Sequence, residues 1–250
     1  MATAVERLNG VIELISGEPQ GATAAQVAAE LKMSRQAAVR LLDSMVGANM
    51  LAREGDSRRY RLTLKFYYWG AKAASPFLPP PVINQELVAL AEAVDGAAFY
   101  LTRDGTLVIG LESTDFKGGR AVTLPYAGRQ YHWSDSVFGL THVAFSSPRE
   151  IEALIRLEAE RGRQAAEIDD LKARLAEIRR AGFTERPEDG PRPYMAIAPL
   201  FDGTGFAGGL LVVRPGAKFR ADTHGLVAAL LSTASRCSTA LGYREAIAVL

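Results

Sequence analysis

The sequence predicts an α+β protein of two domains, a winged helix-turn-helix followed by an antiparallel sheet with flanking helices. Three observations support this prediction. Short amphipathic helical patterns and a strand, turn, strand pattern fill positions 4–62. Prolines at 76 and 79–81 break the helical pattern, and two hairpin signals then alternate with longer helical patterns. We place the first domain at 1–63, a linker helix with a proline-rich boundary at 64–82, and the second domain at 83–250.

Composition is that of an ordinary globular protein. The 250 residues are 48% hydrophobic and 23% charged, which is enough to build a core in each of two domains. No apolar run has the length of a membrane span, and the N-terminus lacks a secretory pattern. The single cysteine, Cys237, excludes an internal disulfide framework. We therefore expect a cytoplasmic protein that has no membrane partner.

Three helices are predicted at the N-terminus. Apolar residues recur at helical spacing over Ala4 to Ser16, and the stretch from Ala24 to Met45 contains two further short helices joined by a turn. Thr23 can cap the second helix with Gln26 three positions on, and Ser34 can cap the third. The pattern is typical of a helix-turn-helix, although a small helical bundle with solvated arginines fits these helices equally well.

The following segment favours nucleic-acid binding. Leu51 to Arg53 and Tyr60 to Leu62 flank a polar turn, which predicts a hairpin wing rich in arginine. Arginines beside a recognition helix can neutralise phosphates, while Arg35, Gln36 and Arg40 on that helix can reach base edges. The expected partner is double-stranded operator DNA. The predicted DNA-binding residues are Ser34, Arg35, Gln36, Arg40, Arg53, Arg58, Arg59 and Arg61.

The linker and second domain have their own signals. Leu64 to Ala74 continues helical with four consecutive aromatics from Phe66 to Trp69, which favours burial against a partner subunit. A helix over Asn84 to Val94 leads into the second domain. Its hairpin turns lie at Asp104-Gly105 and Asp202-Gly203, and a capping box at Ser147 to Glu150 starts a helix that Arg161-Gly162-Arg163 interrupts.

The chain resembles IclR-family transcriptional regulators over nearly its whole length. The matching stretches are AVERLNGVIELI at 4–15, AAQVAAELKMSRQAAVRLLDSM at 24–45, RRYRLTLKFYYWG at 58–70 and IRRAGFTERPEDGPRPYMAIAPLFDGTGFAGGLLVV at 178–213. The resemblance implies a GAF-like effector-binding domain, a homodimer or tetramer, and regulation by a small organic acid. Ala37 and Ala38 stand where the family usually has a hydroxyl residue early in the recognition helix.

The resemblance also implies an effector pocket. Backbone amides at Val137 and Phe138, in the loop from Tyr131 to Phe138, would bind the ligand carboxylate. Apolar Leu211 and Val213 on the last strand favour a larger apolar or aromatic acid. Arg129, Arg192 and His132 are candidate charge partners. The full set of predicted effector residues is Arg129, His132, Ser134, Ser136, Val137, Phe138, His142, Glu185, Met195, Leu211 and Val213.

Catalysis, cofactors and metals are not expected. The glycines from Gly203 to Gly208 spell a dinucleotide motif, but a strand pattern follows where phosphate binding requires a helix. The three histidines are too dispersed for a metal signature, and a pairing of Ser136 with His142 lacks a third catalytic member. Two other functions stay open: a catabolic enzyme with an accessory DNA-binding segment, and an effector-independent architectural DNA binder.

Overall fold

The computed structural model describes residues 3–55, 58–117, 120–125, 130–186, 193–214 and 223–244. The chain divides into two compact units, Met1–Pro76 and Phe77–Leu250. This division falls inside the segment 64–82 that the sequence marks as the linker. Within the described residues, no helix combines the length and apolarity needed to cross a membrane.

The first unit is a winged helix-turn-helix, as predicted. Its elements in chain order are α1 Ala4–Ser16, β1 Ala22–Thr23, α2 Ala24–Glu30, α3 Arg35–Gly47, β2 Leu51–Glu54, β3 Arg59–Leu62 and α4 Lys65–Ala74. The three strands form one sheet in the order β1-β3-β2. The buried core consists of Val11, Ile15, Ala22, Val27, Ala38, Leu42, Met45, Leu51 and Tyr60. The helical members of this core, Val11, Ile15, Val27, Ala38, Leu42 and Met45, are among the apolar positions whose spacing predicts one buried stripe on each helix.

Local capping fixes the angle between α2 and α3. Thr23 forms a reciprocal capping box with Gln26, as its sequence position predicts. Lys32 adopts a left-handed backbone conformation with φ of 48°, and the Met33 amide returns to the Ala28 carbonyl at 3.0 Å. Ser34 then accepts a hydrogen bond from the Ala37 amide at 3.2 Å and starts α3.

The second unit contains one antiparallel sheet and five helices among its described residues. Its strands are β4 Ala97–Asp104, β5 Leu107–Lys117, β6 Arg120–Pro125, β7 Gln130–His132, β8 Thr184–Arg186, β9 Tyr194–Asp202 and β10 Gly205–Arg214. Its helices are α5 Pro81–Val94, α6 Val137–Ala144, α7 Pro148–Glu160, α8 Ala165–Ala181 and α9 Thr223–Ala240. The strand order is β6-β5-β4-β10-β9-β8, with β7 paired to β5. Both predicted hairpins are present.

Helices cover both faces of this sheet. On one face, α5 packs over β4 and β5 and α9 packs over β9, and the buried core there includes Leu87, Leu90, Tyr194, Leu210 and Leu230. On the other face lies α6, which also packs with α7 and α8 in a second apolar core. The α+β, GAF-like arrangement expected from the sequence is confirmed.

One helix start and one helix cap differ from the sequence prediction. Helix α5 begins at Pro81 rather than Asn84, because proline suits the first helical position, where no amide partner is required. At α7, Ser147 accepts from the Glu150 amide, but the Glu150 carboxylate binds Arg103 instead of closing the capping box. The Glu150 carboxylate thus forms an ion pair with a residue of β4 instead of accepting a hydrogen bond from the Ser147 amide.

Candidate functional site

The recognition helix α3 has a polar outer face. Ala38, Leu42 and Met45 are buried in the core, whereas Arg35, Gln36 and Arg40 are exposed. The amphipathic spacing therefore leaves three long hydrogen-bond donors on the outer surface of the helix. Ser34 occupies the N-cap, where its hydroxyl already accepts from the backbone.

Arginines from the helix and the wing share one concave surface. Arg35 on α3 lines a hollow of about 430 Å³ together with Arg53 and Arg58 of the wing. The start of α2 at Thr23 to Ala25 forms another part of the wall. Arg58 has a left-handed backbone conformation, with φ of 53°, at the start of the second wing strand. Three cations from separate segments thus line the same hollow as the single carboxylate of Asp43, and this excess of positive charge suits a polyanion.

The other two wing arginines are engaged with the protein. Arg59 is half-buried and donates to the Gly21 carbonyl at 2.8 Å, so it ties the loop before β1 to the wing. This contact gives Arg59 a structural role, and its role as a phosphate ligand stays a prediction. Arg61 pairs with Glu54 at 3.3 Å, and both side chains remain about half exposed. An exposed pair of this kind is weak, so Arg61 stays available to a phosphate.

The candidate effector site is an apolar cluster between α6 and the sheet, here called the α6-side cluster. Its buried floor is Leu101, Val108, Phe138, Ile197 and Leu211. Its partly exposed rim is Phe99, Tyr131, Val137, Met195 and Val213. Of the effector residues predicted from the sequence, this cluster contains Val137, Phe138, Met195, Leu211 and Val213. The rim side chains are only partly buried, whereas the floor is buried.

Strand register removes Glu185 from that cluster. Glu185 lies opposite Ala196, while its neighbours Thr184 and Arg186 lie opposite Ile197 and Met195. Side chains opposite each other in an antiparallel pair share a face, and successive side chains alternate. Glu185 therefore points to the α5 and α9 face, where its carboxylate accepts a hydrogen bond from the Tyr194 hydroxyl at 2.6 Å. This contact and burial raise the pKa of Tyr194.

Arg186, rather than Glu185, lies on the face of the sheet that contains the α6-side cluster. Arg186 was not predicted from the sequence as a site residue. Its Nη2 lies 3.2 Å from the Met195 sulfur and 3.5 Å from the Pro193 carbonyl oxygen. Its Nε is buried and has no hydrogen-bond partner. A cation beside the rim of the α6-side cluster is therefore only partly satisfied. The alternation of side chains along β8 was the signal that could have pointed to it.

Helix α6 begins at the edge of the cluster. Ser136 is its N-cap and accepts from the Gly139 amide at 3.0 Å. The amides of Val137 and Phe138 belong to the first turn, where no intrahelical acceptor exists. The helix start lies against the preceding loop: a Cβ on Gly139 would come within 2.2 Å of the Trp133 carbonyl oxygen. These two amides can donate to a carboxylate, and the side chains of the same two residues are apolar.

His132 and Ser134 belong to a different cluster, centred on the buried carboxylate of Glu158. Arg163 Nε and the Ser134 hydroxyl donate to this carboxylate at 2.6 and 2.9 Å, and Arg161 donates at 3.1 Å. His132 Nε2 lies 3.6 Å from Glu158 Oε1. Burial raises the pKa of Glu158, but the hydrogen bonds from Arg163, Ser134 and Arg161 outweigh it and hold the pKa below its ordinary value. These two predicted effector residues therefore anchor the loop that precedes α6.

His142 is a core residue rather than a pocket residue. It is fully buried, with Nδ1 2.8 Å from the Phe138 carbonyl oxygen and Nε2 3.3 Å from that of Leu101. Burial lowers its pKa to about 4, so the ring is neutral at pH 7 and cannot serve as a cationic partner. Arg129 and Arg192, the remaining predicted charge partners, lie outside the described residues.

The chain was compared with known proteins. No protein-family model matches it. The HTH-type transcriptional regulator KdgR of Dickeya chrysanthemi is 25% identical over 256 residues, covering 97% of this chain and 81% of that protein. The solved IclR structure from Thermotoga maritima aligns with a TM-score of 0.67 at 17% identity, over 96% of this chain and 98% of the other. An IclR homologue from Microbacterium hydrocarbonoxydans, complexed with 4-hydroxybenzoate, aligns with the same TM-score of 0.67 at 17% identity, over 96% and 99%.

The fold and these comparisons define the class. A winged helix-turn-helix unit followed by an α+β unit with an antiparallel sheet is the fold that this chain shares with the solved IclR structure. More narrowly, the chain has the two-domain fold of the IclR family, and the resemblance seen in its sequence is confirmed. Its relatives are transcriptional regulators. Within the described residues, no group of three or more His, Cys, Asp or Glu is arranged to hold a metal ion.

Proposed function

We propose that this protein is a transcriptional regulator that binds operator DNA and responds to a small organic acid with an apolar or aromatic body. The observation that carries the proposal is the α6-side cluster, an apolar floor beside the first-turn amides of Val137 and Phe138. Residues 1–63 serve as the DNA-binding domain and 83–250 as the effector domain. A protein that acts on the chromosome works in the cytoplasm.

The arrangement of the first unit supports DNA binding. Arg35, Gln36 and Arg40 are exposed on α3, and Arg35 shares its hollow with Arg53 and Arg58. In this arrangement α3 reads base edges in the major groove, while the wing arginines hold the phosphate backbone. Arg59 contributes indirectly, because it fastens the wing to the loop at Gly21.

The backbone amides and apolar side chains of the α6-side cluster support an acid as effector. First-turn amides favour a carboxylate, and Leu211 and Val213 favour an apolar body. The relative from Microbacterium hydrocarbonoxydans, which has the same fold, was solved with 4-hydroxybenzoate. We propose no catalytic role, since Ser136 is used as a helix cap and His142 is buried against two carbonyls.

A homodimer or tetramer completes the proposal. Tyr67, Tyr68 and Trp69 on α4 are 75%, 55% and 44% exposed. Large aromatic side chains grouped on one short helix are typical of an interaction surface. A two-fold assembly would present two recognition helices to the successive half-sites of a pseudo-palindromic operator.

Arginine substitutions test the DNA interface. A duplex site is first selected from a random library with the full chain, and binding of point variants of that site is then measured by fluorescence anisotropy over a range of salt concentrations. We expect Arg40→Ala to lose affinity unevenly among the site variants. Arg58→Ala should weaken all sites alike and lower the salt slope by about one ion. Arg174→Ala, which removes an exposed arginine on α8, is the control. If Arg40→Ala instead weakens binding to all site variants equally, Arg40 does not read base edges.

Thermal-shift screening tests the effector. Aromatic and aliphatic acids are screened against the full chain, because a ligand at 100 times its Kd stabilises by about 2.7 kcal/mol. The stabilising acid should also change operator affinity, since coupling between two sites is reciprocal. Val213→Arg should abolish both effects and leave unliganded DNA binding intact. Stabilisation only by very small polar acids such as pyruvate, or only by a cation, would contradict the apolar pocket. DNA binding that no acid alters would favour an architectural DNA binder.

A further inference from the structure

We propose that Arg186 is a second anion anchor of the effector site, so that the effector is a two-ended acid and a dicarboxylate is its best-fitting form. The inference rests on the proposed function, because it names the ligand class of the same α6-side cluster. One carboxylate would meet the first turn of α6, the second would meet the guanidinium of Arg186, and an apolar spacer would cover the floor between them.

The position of Arg186 follows from strand pairing. Arg186 on β8 lies opposite Met195 on β9, and Met195 lies opposite Val213 on β10. These three side chains consequently form one row across the face that α6 covers. Met195 and Val213 belong to the rim of the α6-side cluster. The guanidinium is therefore at the rim, next to the apolar floor.

The surroundings of Arg186 leave its guanidinium short of acceptors. Among the described residues, its acceptors are the Met195 thioether, which is a weak one, and the Pro193 carbonyl at the 3.5 Å limit. Its Nε is buried without a partner, and a buried unsatisfied donor is costly. The adjacent carboxylate, Glu185, is on the opposite face and is bound to Tyr194. No ion pair links Arg186 to a carboxylate among the described residues.

The chemistry of the guanidinium indicates which ligand group Arg186 would bind. Its planar fork of donors matches the two oxygens of a carboxylate, which can accept from two guanidinium N–H groups together. The amides at the other wall offer a separate site for a negative oxygen. An acid with a single carboxylate can satisfy one of these ends, whereas a dicarboxylate on an aromatic or six-carbon spacer can satisfy both.

Matched acids test the inference on the full chain. Calorimetric titration at pH 7 compares benzoate with benzene-1,4-dicarboxylate, and hexanoate with hexanedioate. We expect at least one diacid to bind about tenfold or more tighter than its monoacid partner, as a charge-assisted hydrogen bond would give. Arg186→Gln should abolish that preference, while Arg186→Lys should retain part of it. Arg156→Gln, which removes an exposed arginine on α7, is the matched control.

The outcomes separate this inference from the proposed function. Equal binding of monoacid and diacid by the wild-type chain overturns the role of Arg186 and leaves the effector proposal intact. Monoacid preference, or a diacid preference that survives Arg186→Gln, overturns it as well. Failure of every acid to bind overturns both. Because the wild-type comparison needs no variant, a poorly folded Arg186→Gln would not prevent the decision, and Arg186→Lys gives a second, milder change.

Discussion

At the residue scale, His142 links the packing of the effector domain to pH. Its ring fills the space between α6 and the sheet, lies edge to face with Phe206 at 5.2 Å between centroids, and has both nitrogens directed at carbonyl oxygens. Protonation would place a positive charge in a fully buried position, and burial accordingly lowers the pKa from 6.5 to about 4. The folded state therefore binds this proton less readily than the unfolded chain does.

This difference predicts a loss of stability in mild acid. Below pH 6.5 the unfolded chain takes up the proton before the folded chain does. The contribution of His142 to the free energy of unfolding is therefore complete above pH 6.5 and declines as the pH falls toward 4. The free energy of unfolding should drop by about 2 kcal/mol between pH 7 and pH 5. Urea denaturation followed by the fluorescence of buried Trp133 measures it. His142→Gln should be less stable at pH 7 but nearly flat over this window, and His224→Gln should keep the wild-type slope. An equally steep slope in His142→Gln would rule the explanation out.

Glu185 shows which part of the site could be predicted from the sequence and which part could not. The family resemblance implies that Leu211 and Val213 belong to a pocket wall, and their positions on β10 place both in the α6-side cluster. The same resemblance implies Glu185, yet a shift of one position along β8 exchanges the two faces of the sheet. Register depends on pairing with a distant strand, so it cannot be read from β8 alone.

At the scale of elements, the start of α6 is held by close packing with the loop before it. The absence of a side chain at Gly139 lets the helix approach Trp133, whose Cα would lie 2.3 Å from an added Cβ. Trp133 itself is fully buried in the core shared by α6, α7 and α8. The first-turn amides are thereby fixed relative to the α6-side cluster.

We expect Gly139→Ala to displace the first turn of α6. The substitution forces a backbone shift, which should cost about 1–3 kcal/mol of stability and reduce effector affinity more than DNA affinity. Calorimetric unfolding and acid titration of the full chain measure the two effects. Gly203→Ala is the matched control, because the nearest atom to its added Cβ is the Gly242 carbonyl oxygen at 3.8 Å. Unchanged acid binding by Gly139→Ala would mean that the α6 amides do not contact the ligand.

Elements differ in how well the sequence predicts them. The helices of the first unit and the two hairpins follow from apolar period and turn residues, which are local. The Glu158 cluster joins the loop at 132–135 to residues 158–163, and neither segment contains a pattern that names the other. His132 and Ser134 were consequently assigned to the pocket, because their nearness to Val137 in sequence is visible and their bonds to α7 are not.

At the scale of the whole molecule, the aromatic face of α4 points to subunit assembly. No residue of α4 is fully buried within the chain. Lys65 and Lys72 lie over the rings of Trp69 and Tyr68 at 4.8 and 4.7 Å, so the aromatic side chains are held in place by cation–π contacts. An ordered apolar surface of this kind loses little side-chain entropy when a partner covers it.

Replacing the aromatic side chains should separate the subunits. Burial of one such ring is worth about 1.5–3 kcal/mol, so the double change Tyr67→Ser with Trp69→Ser should raise the dissociation constant of the assembly at least about 100-fold. Sedimentation velocity at micromolar concentration measures this shift. Val5→Ser, which removes an apolar side chain that is 73% exposed on α1, should leave the assembly unchanged. A wild-type chain that sediments as a monomer would end the assembly proposal.

The burial of Cys237 has a practical consequence. It is the only cysteine in the chain, is fully buried on the inner side of α9, and has a pKa that burial raises to about 12. A thiol in this state does not react with alkylating reagents until the helix leaves the sheet. The rate of labelling at Cys237 therefore reports how often the effector domain opens, without any engineered probe. A ligand that binds only the closed domain should slow this labelling in proportion to its occupancy, and so reveal itself in a crude mixture of metabolites.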